Sequence, residues 1–561
     1  MHQCWYISEV LERMCFYLML DESRTGRTTL AALARTCKAF ADPAGEKLWY
    51  QLQKLEHLLR CLPQDCWEDF SFEIKAHGRT FTFNTIRFTR ELTDADWKSV
   101  EKPRAWIREF LHKSWYSNLS VPHAAMLDSI EGSLGQRLLP NLRVLHWAPP
   151  EHCNNTEFVR WVQLLVGPHL TDLTLQNPSF TSSTEAELLI DVDVPFSRLK
   201  SLDLDIQRAN IPSLLSVSSL FATNLSAIEE LALPRVSATA WKHLASLPRL
   251  RKLHLYAPQA GDLGTPSSRL PSNPPPFTCL RKLYISNTAI ATALELLTSV
   301  PKWTLEHLVI GSDPKGFKPE GPGMAKLLYT AVASHCASDR LDFLLLGPHC
   351  GDAEIEDPPR AALAEYTLAG DSLSRLFPFS NLVRIMLRPP AGFTIDDTVI
   401  RDLASAWSVV ETLHLSSGSG VHSPPPATTL NALRLLAGHC PYLRELMLPI
   451  NALDVPAFSS YRNHRITQTA LAVLDVAISP IDDSLAVARF ISGHFTVIES
   501  LDTSSAWRWD DENYEYRYEE ERAERRYHQR WMEVQMMLLY SEIVRGEERC
   551  WAGDDSGGKV G

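Results

Sequence analysis

Residues 250–255 read LRKLHL, and residues 280–285 read LRKLYI. Each is an aliphatic residue, two polar residues, then two hydrophobic residues separated by one position. With mostly polar spacers the same phrase stands at Leu142 (LRVLHW), Leu170 (LTDLTL), Leu199 (LKSLDL), Ile228 (IEELAL), Leu305 (LEHLVI), Leu341 (LDFLLL), Leu382 (LVRIML), Val410 (VETLHL), Leu443 (LRELML), Leu471 (LAVLDV) and Ile498 (IESLDT), thirteen in all, 22 to 41 residues apart. One such unit cannot bury its apolar face without a neighbour, so the recurrence decides the architecture before any single residue does.

Between the phrases lie stretches with apolar residues at three and four spacing and Ser, Thr or Asp near their starts, among them NTEFVRWVQLLVG, SATAWKHLASL, TAIATALELLTSV, TTLNALRLLAGHC and SLAVARFISGHF. Strand alternates with helix. The compact way to stack such units is strand, helix and parallel strand, with the two outer residues of each LxL in the core and the central one outside. The expected fold class is therefore α/β: a leucine-rich-repeat-like curved solenoid with a parallel sheet on the concave side and helices on the convex side. Burying one Leu contributes roughly 1.5–3 kcal/mol, so a charge at Leu253 or Leu283 is expected to break the local stack.

The chain has 561 residues, 45% hydrophobic and 22% charged, with a formal net charge of -12 and no long basic run. A phosphate-tracking nucleic-acid surface is not expected, and a protein partner is. No apolar stretch approaches the roughly 18 residues that span a bilayer, and MHQCWYISEV lacks the pattern of a secretory signal, so a cytoplasmic or nuclear location without membrane contact is expected. Eleven cysteines without a CxxC pair read as reduced, packed thiols. The N-x-S/T triplets at Asn118, Asn154 and Asn224 then read as chance.

The organisation reads as a small helical head over 1–61, a linker and leading cap over 62–140, irregular repeats over 141–509, a C-terminal capping helix over 510–546 and a disordered tail over 547–561. Residues 79–92 (RTFTFNTIRFTREL) predict a hairpin, and 96–115 (DWKSVEKPRAWIREFLHKSW) an aromatic-rich amphipathic stretch, the two read as the leading cap and a degenerate first repeat. Trp531, Val534, Met537 and Leu538 recur at helical spacing and predict the docking face of the last helix. Pro- and Gly-rich segments at 257–276, 311–323, 347–379 and 417–426 read as inserted loops.

The head predicts three or four short helices with a break at Asp42–Pro43. Its apolar residues are too many for so small a unit to bury alone. YISEVLERMCFYL supplies Glu9, Val10, Leu11, Met14, Cys15 and Leu18; LAALARTCKAF supplies Leu30, Leu33, Thr36, Cys37 and Phe40; KLW supplies Leu48 and Trp49.

That pattern resembles an F-box. Tyr6 and Ile7 stand where Leu-Pro is usual and Phe40 where Trp is usual, which implies weaker adaptor binding than in typical members. An F-box head before loose leucine-rich repeats resembles the F-box proteins abundant in mushroom-forming fungi. The resemblance implies a substrate-recognition subunit of a Skp-cullin-F-box-type ubiquitin ligase. Its head would bind a Skp-type adaptor, and through it a cullin scaffold, by Ile7, Val10, Leu11, Met14, Leu18, Leu33, Phe40, Leu48 and Trp49. The other reading is a non-ligase repeat scaffold or inhibitor whose head only caps the solenoid.

No phosphate loop, dinucleotide fingerprint, HExxH or G-x-S-x-G elbow is present. The His-Cys neighbours at 335–336, 349–350 and 439–440 lack the second pair that tetrahedral zinc needs. No catalytic residue, cofactor or metal is therefore expected, and a ligase-type catalytic cysteine lacks an activating context. Binding is where the residues differentiate. Among the central LxL positions and their neighbours, Lys252, His254, Tyr256, Lys282 and Tyr284 form a basic, aromatic group beside the apolar Val309, Leu345 and Met386. Together they are the candidate target-binding concave face, with Asp203 and Asp205 as an acidic counterpart.

Overall fold

The structure, a computed structural model, describes residues 8–20, 24–76, 79–112, 124–135, 137–148, 155–176, 187–205, 212–264, 270, 275–311, 323–347, 363–417, 426–457, 466–477, 479–503 and 519–555. It divides into two compact units, Met1–Tyr256 and Ala257–Gly561.

The first unit begins with helices α1 (Ser8–Leu20), α2 (Arg24–Ala34) and α3 (Lys38–Trp49), followed by α4 (Leu55–Leu59) and α5 (Glu101–Trp106). Its strands are β1 (Gln51–Leu52), the antiparallel pair β2 (Trp67–Ala76) and β3 (Arg79–Phe88), then β4 (Glu109–His112), β5 (Val144–Trp147), β6 (Asp172–Gln176), β7 (Ser201–Asp205), β8 (Glu230–Leu233) and β9 (Lys252–Leu255). Apart from β2 and β3 they form parallel sheet in the order β1-β4-β5-β6-β7-β8-β9.

The second unit holds β10 (Lys282–Ile285), β11 (His307–Ile310), β12 (Phe343–Leu346), β13 (Leu368–Ala369), β14 (Arg384–Leu387), β15 (Phe393–Thr394), β16 (Thr412–Leu415), β17 (Glu445–Met447), β18 (Val473–Asp475) and β19 (Ser500–Asp502). Its parallel order is β10-β11-β12-β14-β16-β17-β18-β19, with β13 paired to β15 apart from it. Fifteen strands of parallel sheet result, seven in the first unit and eight in the second. The fold is the expected α/β leucine-rich-repeat-like solenoid.

The thirteen phrases supply all of these strands except β1 and β4. The reason is the alternation: in Leu253/Leu255, Leu283/Ile285 and Leu308/Ile310 both outer residues are buried, while the residues between them stay half-buried. Their register is unshifted, Leu283 lying opposite Leu308 and Leu308 opposite Leu344. A slip of one residue would turn every leucine out of the core. Helices alternate with the strands, and side-chain caps mark several of their starts. Ser237 accepts from the Ala240 amide, Thr429 from Asn431 and Asp483 from Ala486. Each satisfies an amide that the first helical turn would leave unpaired.

Three local expectations are corrected. The stretch 79–88 is one strand rather than a hairpin; its partner is 67–76, with Trp67 opposite Phe88 and Ala76 opposite Arg79. Residues 77 and 78 lie outside the described residues, and Asn84-Thr85 continues the strand, opposite Ser71 and Phe70. Residues 96–112 form a 3-10 turn (Asp96–Val100), α5 and β4. Phe110 is buried and lies opposite Leu145, so β4 acts as a repeat strand ahead of the first phrase.

In the head the break lies at Arg35–Cys37, and α3 runs through Pro43. The ring removes the hydrogen bond to the Ala39 carbonyl, but Ala39 is exposed, so water can serve that oxygen. The last helix spans Glu519–Asp555, nine residues into the segment whose composition predicts a disordered tail. Its Glu, Arg and Ala residues are good helix formers. Residues 556–561 lie outside the described residues, as do most of the inserted loops.

Trp531, Val534 and Leu538 of that helix are buried and Met537 is half-buried. The docking is pinned by polar contacts: Trp531 Nε1 donates to the Ser479 carbonyl at 2.9 Å, Ser484 donates to Glu533 at 2.7 Å and Arg530 to the Ile481 carbonyl at 2.9 Å. Among the described residues no helix is long and apolar enough to cross a membrane.

Candidate functional site

The three head helices enclose a small core of Cys15, Leu30 and Ala44, against which Leu18, Leu33 and Leu48 pack. Leu11 and Phe40 are also buried, while Met14 and Trp49 are half-buried. Ile7 lies outside the described residues. Of the residues expected to meet an adaptor, only Val10 among the described ones stands open, 42% exposed.

It is not alone on that side. Phe16, Tyr17 and Leu20 are 43%, 59% and 56% exposed. At about 3.6 residues per turn, positions 10, 16, 17 and 20 share one half of α1, whereas 11, 15 and 18 share the other. The half covered by α2 and α3 is apolar; the open half carries these four residues together with the charged Glu9 and Arg13. Four large apolar side chains on a single helix face are an unusual cost for a surface to carry without a partner.

The opposite side of the head is occupied. A methyl group on Gly45 of α3 would sit 2.8 Å from a ring carbon of Trp106 in α5, so only glycine permits this approach. Lys102 of α5 reaches Asp42 of α3 at 2.8 Å. Arg104 carries the chain onward by donating to the Leu138 carbonyl at 2.9 Å. Among the described residues the head therefore docks through α3, and the outer half of α1 stays exposed.

The expected target-binding residues divide between the units. In the first, Lys252, His254 and Tyr256 follow one another on the open face of β9 and just beyond it. Lys252 lies 3.5 Å from Glu230, and the His254 and Tyr256 rings are 4.1 Å apart. Tyr256 donates its hydroxyl hydrogen to Asp203 at 2.8 Å, across 53 positions of sequence. Ala232, opposite both Asp203 and His254, is the small residue of that row.

Burial pushes the Asp203 carboxyl above its ordinary range, against the pull of the Tyr256 hydrogen bond. Asp205, two residues on, has its carboxyl pushed up to about 6 by burial and then by the charge of Asp203. The acidic pair is thus joined to the aromatic group rather than separate from it. A tyrosine 53 positions away leaves no mark in local periodicity, so no sequence signal ties the two together.

In the second unit the register aligns Tyr284, Val309, Leu345, Met386, His414, Met447, Asp475 and Asp502 in one row across the sheet. Leu345 is buried; Tyr284, Val309 and Met386 are half-buried. The loops whose closure over this trio would decide its exposure, 312–322 and 348–362, lie outside the described residues. The row alongside contains Lys282, His307, Phe343 and Arg384, with the His307 and Phe343 rings 5.5 Å apart. The face therefore runs from basic and aromatic, through apolar, to acidic side chains.

Burial raises the thiols at Cys66, to about 11, and at Cys336 and Cys440, to about 12, which keeps them protonated and unreactive at neutral pH. Among the described residues no group of three or more His, Cys, Asp or Glu side chains is placed to hold a metal ion.

No protein-family model and no curated protein matches the chain. Among solved structures, the chain is similar to the leucine-rich repeat-containing protein LegL7 from Legionella pneumophila, at 15% identity over 62% of this chain and 94% of that one, with a TM-score of 0.27. It is also similar to the Rad7 and Elc1 complex in yeast, at 14% identity over 67% of this chain and 79% of that one, with a TM-score of 0.30.

Proposed function

We propose that the chain is the substrate-recognition subunit of a Skp-cullin-F-box-type ubiquitin ligase. It supplies no catalysis itself. The head takes a Skp-type adaptor, which brings the cullin scaffold, and the open sheet faces of the repeats hold a target protein. The observation that carries this reading is the exposure of Val10, Phe16, Tyr17 and Leu20, which share one half of α1 with Glu9 and Arg13, on a segment whose sequence resembles an F-box.

The packing of α3 on α5 is what a simple cap would need, but a cap gains nothing from apolar residues turned to solvent on α1. Covering that face offsets its cost only when a partner is present.

The test is co-purification of the full chain with a Skp-type adaptor, comparing wild type with the double variant Phe16→Glu, Leu20→Glu. Both side chains are exposed, so the variant is expected to keep the wild-type unfolding midpoint while losing the adaptor. Adaptor recovery unchanged by the double variant would sink the proposal and leave the scaffold reading.

A further inference from the structure

Helix Glu519–Asp555 is 37 residues long, about 55 Å at 1.5 Å per residue. The polar contacts that hold it to the repeats run from His528, beside Thr503, through Arg530 on the Ile481 carbonyl and Trp531 on the Ser479 carbonyl to Glu533 beside Ser484. Leu538 is its last buried side chain among the described residues. Residues 542–555 carry the helix on for about another 21 Å.

At about 100° per residue, Trp531, Val534 and Leu538 share the docked side of this helix and Met532, Met536 and Leu539 the outer side. Met536, Leu539 and Tyr540 are exposed. Positions 536, 539, 543, 546, 550 and 553 continue that outer row at alternating spacings of three and four, the spacing of a coiled-coil seam. The residues there are Met536, Leu539 and Ile543, then Gly546, Cys550 and Gly553, so the row is large in its first half and small in its second. Glycine is a poor helix former, and its use inside a helix is to let another backbone come close.

One pairing satisfies both halves at once. When a second copy of the helix lies antiparallel, with the twofold axis between positions 544 and 545, Met536 faces Gly553, Leu539 faces Cys550 and Ile543 faces Gly546, each pair occurring twice. The flanking charges agree, because the same register sets Glu542 against Arg549, again twice. A parallel pair would set glycine on glycine in two layers, leaving voids, and would bring Glu542 to Glu547. Moving the antiparallel pair by one heptad sets Glu542 against itself.

We infer that the outer row of this helix is an interface between two copies of the chain, packed antiparallel about residues 544 and 545. Size and charge both complement the row with itself, reversed. No residue of the head takes part, so the interface stands or falls apart from the adaptor reading.

The test is sedimentation equilibrium of the full chain, whose mass is 63.2 kDa. A dimer is expected, with its dissociation constant raised at least about tenfold by Leu539→Glu and by Gly546→Leu. The first variant puts a charge into the seam at an exposed position and keeps a good helix former. The second fills the space that Ile543 of the second copy needs. In Leu539→Cys, mild oxidation is expected to join the introduced thiol to Cys550 of the second copy, found by mass spectrometry as a linked peptide pair absent from wild type.

A monomer at every concentration up to about 100 μM, or a dimer indifferent to Leu539→Glu, would overturn the interface. A dimer kept or tightened by Gly546→Leu, or a link between the two Cys550 thiols in wild type, would overturn the antiparallel pairing and the inference with it. If Leu539→Glu or Gly546→Leu unfolds the helix, the Leu539→Cys link decides, and its absence counts against the interface.

Discussion

Replacing Asp205 by Asn should stabilise the protein at neutral pH and do nothing in acid. In the folded chain its carboxyl titrates near 6 against an ordinary 3.8, through burial and the neighbouring charge of Asp203. Between about pH 4 and 6 the native group therefore keeps a proton that the unfolded chain has already released, and unfolding free energy falls as pH rises through that window. At about 1.4 kcal/mol per tenfold the gap bounds the cost at roughly 3 kcal/mol. Solvent around the partly exposed carboxylate reduces this to about 1–2 kcal/mol. The assay is urea unfolding of wild type and Asp205→Asn from pH 4 to 7.5. The two curves should coincide near pH 4 and separate by about 1–2 kcal/mol above pH 6.5, the variant being more stable. Parallel curves across the whole range would refute the argument that Asp205 is held ionised at a cost.

Asp96 should act in the opposite sense. Arg90 holds its two oxygens at 2.8 Å each and Thr93 adds its amide and hydroxyl, which together keep the carboxyl well below the usual range. Its stabilisation is present in full above the unfolded pKa of about 4 and is lost progressively as pH falls from there through the depressed folded value, so Asp96→Asn should lower the unfolding midpoint at pH 7 by an amount that shrinks steadily below about pH 4, as followed by circular dichroism. Trp531→Ala should cost roughly 3–5 kcal/mol and release the last helix, because it empties a fully buried site and leaves the Ser479 carbonyl without its donor. Faster amide exchange along 519–541 would register that release, and unchanged exchange would count against the docking.

The solenoid was legible in the residues because its cause is local and repeated. An aliphatic pair around one central residue buries two side chains wherever it occurs, and a parallel neighbour of the same kind supplies the other wall. Leu253, Leu283 and Leu308 needed no knowledge of the rest of the chain, nor did the caps Ser237, Thr429 and Asp483. Strands β1 and β4 carry the same geometry on weaker phrases, QL and EFLH, which only their pairing reveals.

The site residues behave differently because their causes are distant in sequence. Helix α1 carries large apolar residues on both halves, with Glu9, Glu12 and Arg13 among them, so periodicity could not say how far Tyr17 would be covered; the positions of α2 and α3 decide it. Tyr256 reaches Asp203 only because β7 and β9 flank β8. Hydrophobic alternation specifies which residues turn inward. Which of the remaining polar groups are paired, crowded or left without a partner is a property of register between strands, and that exists only once the sheet has formed.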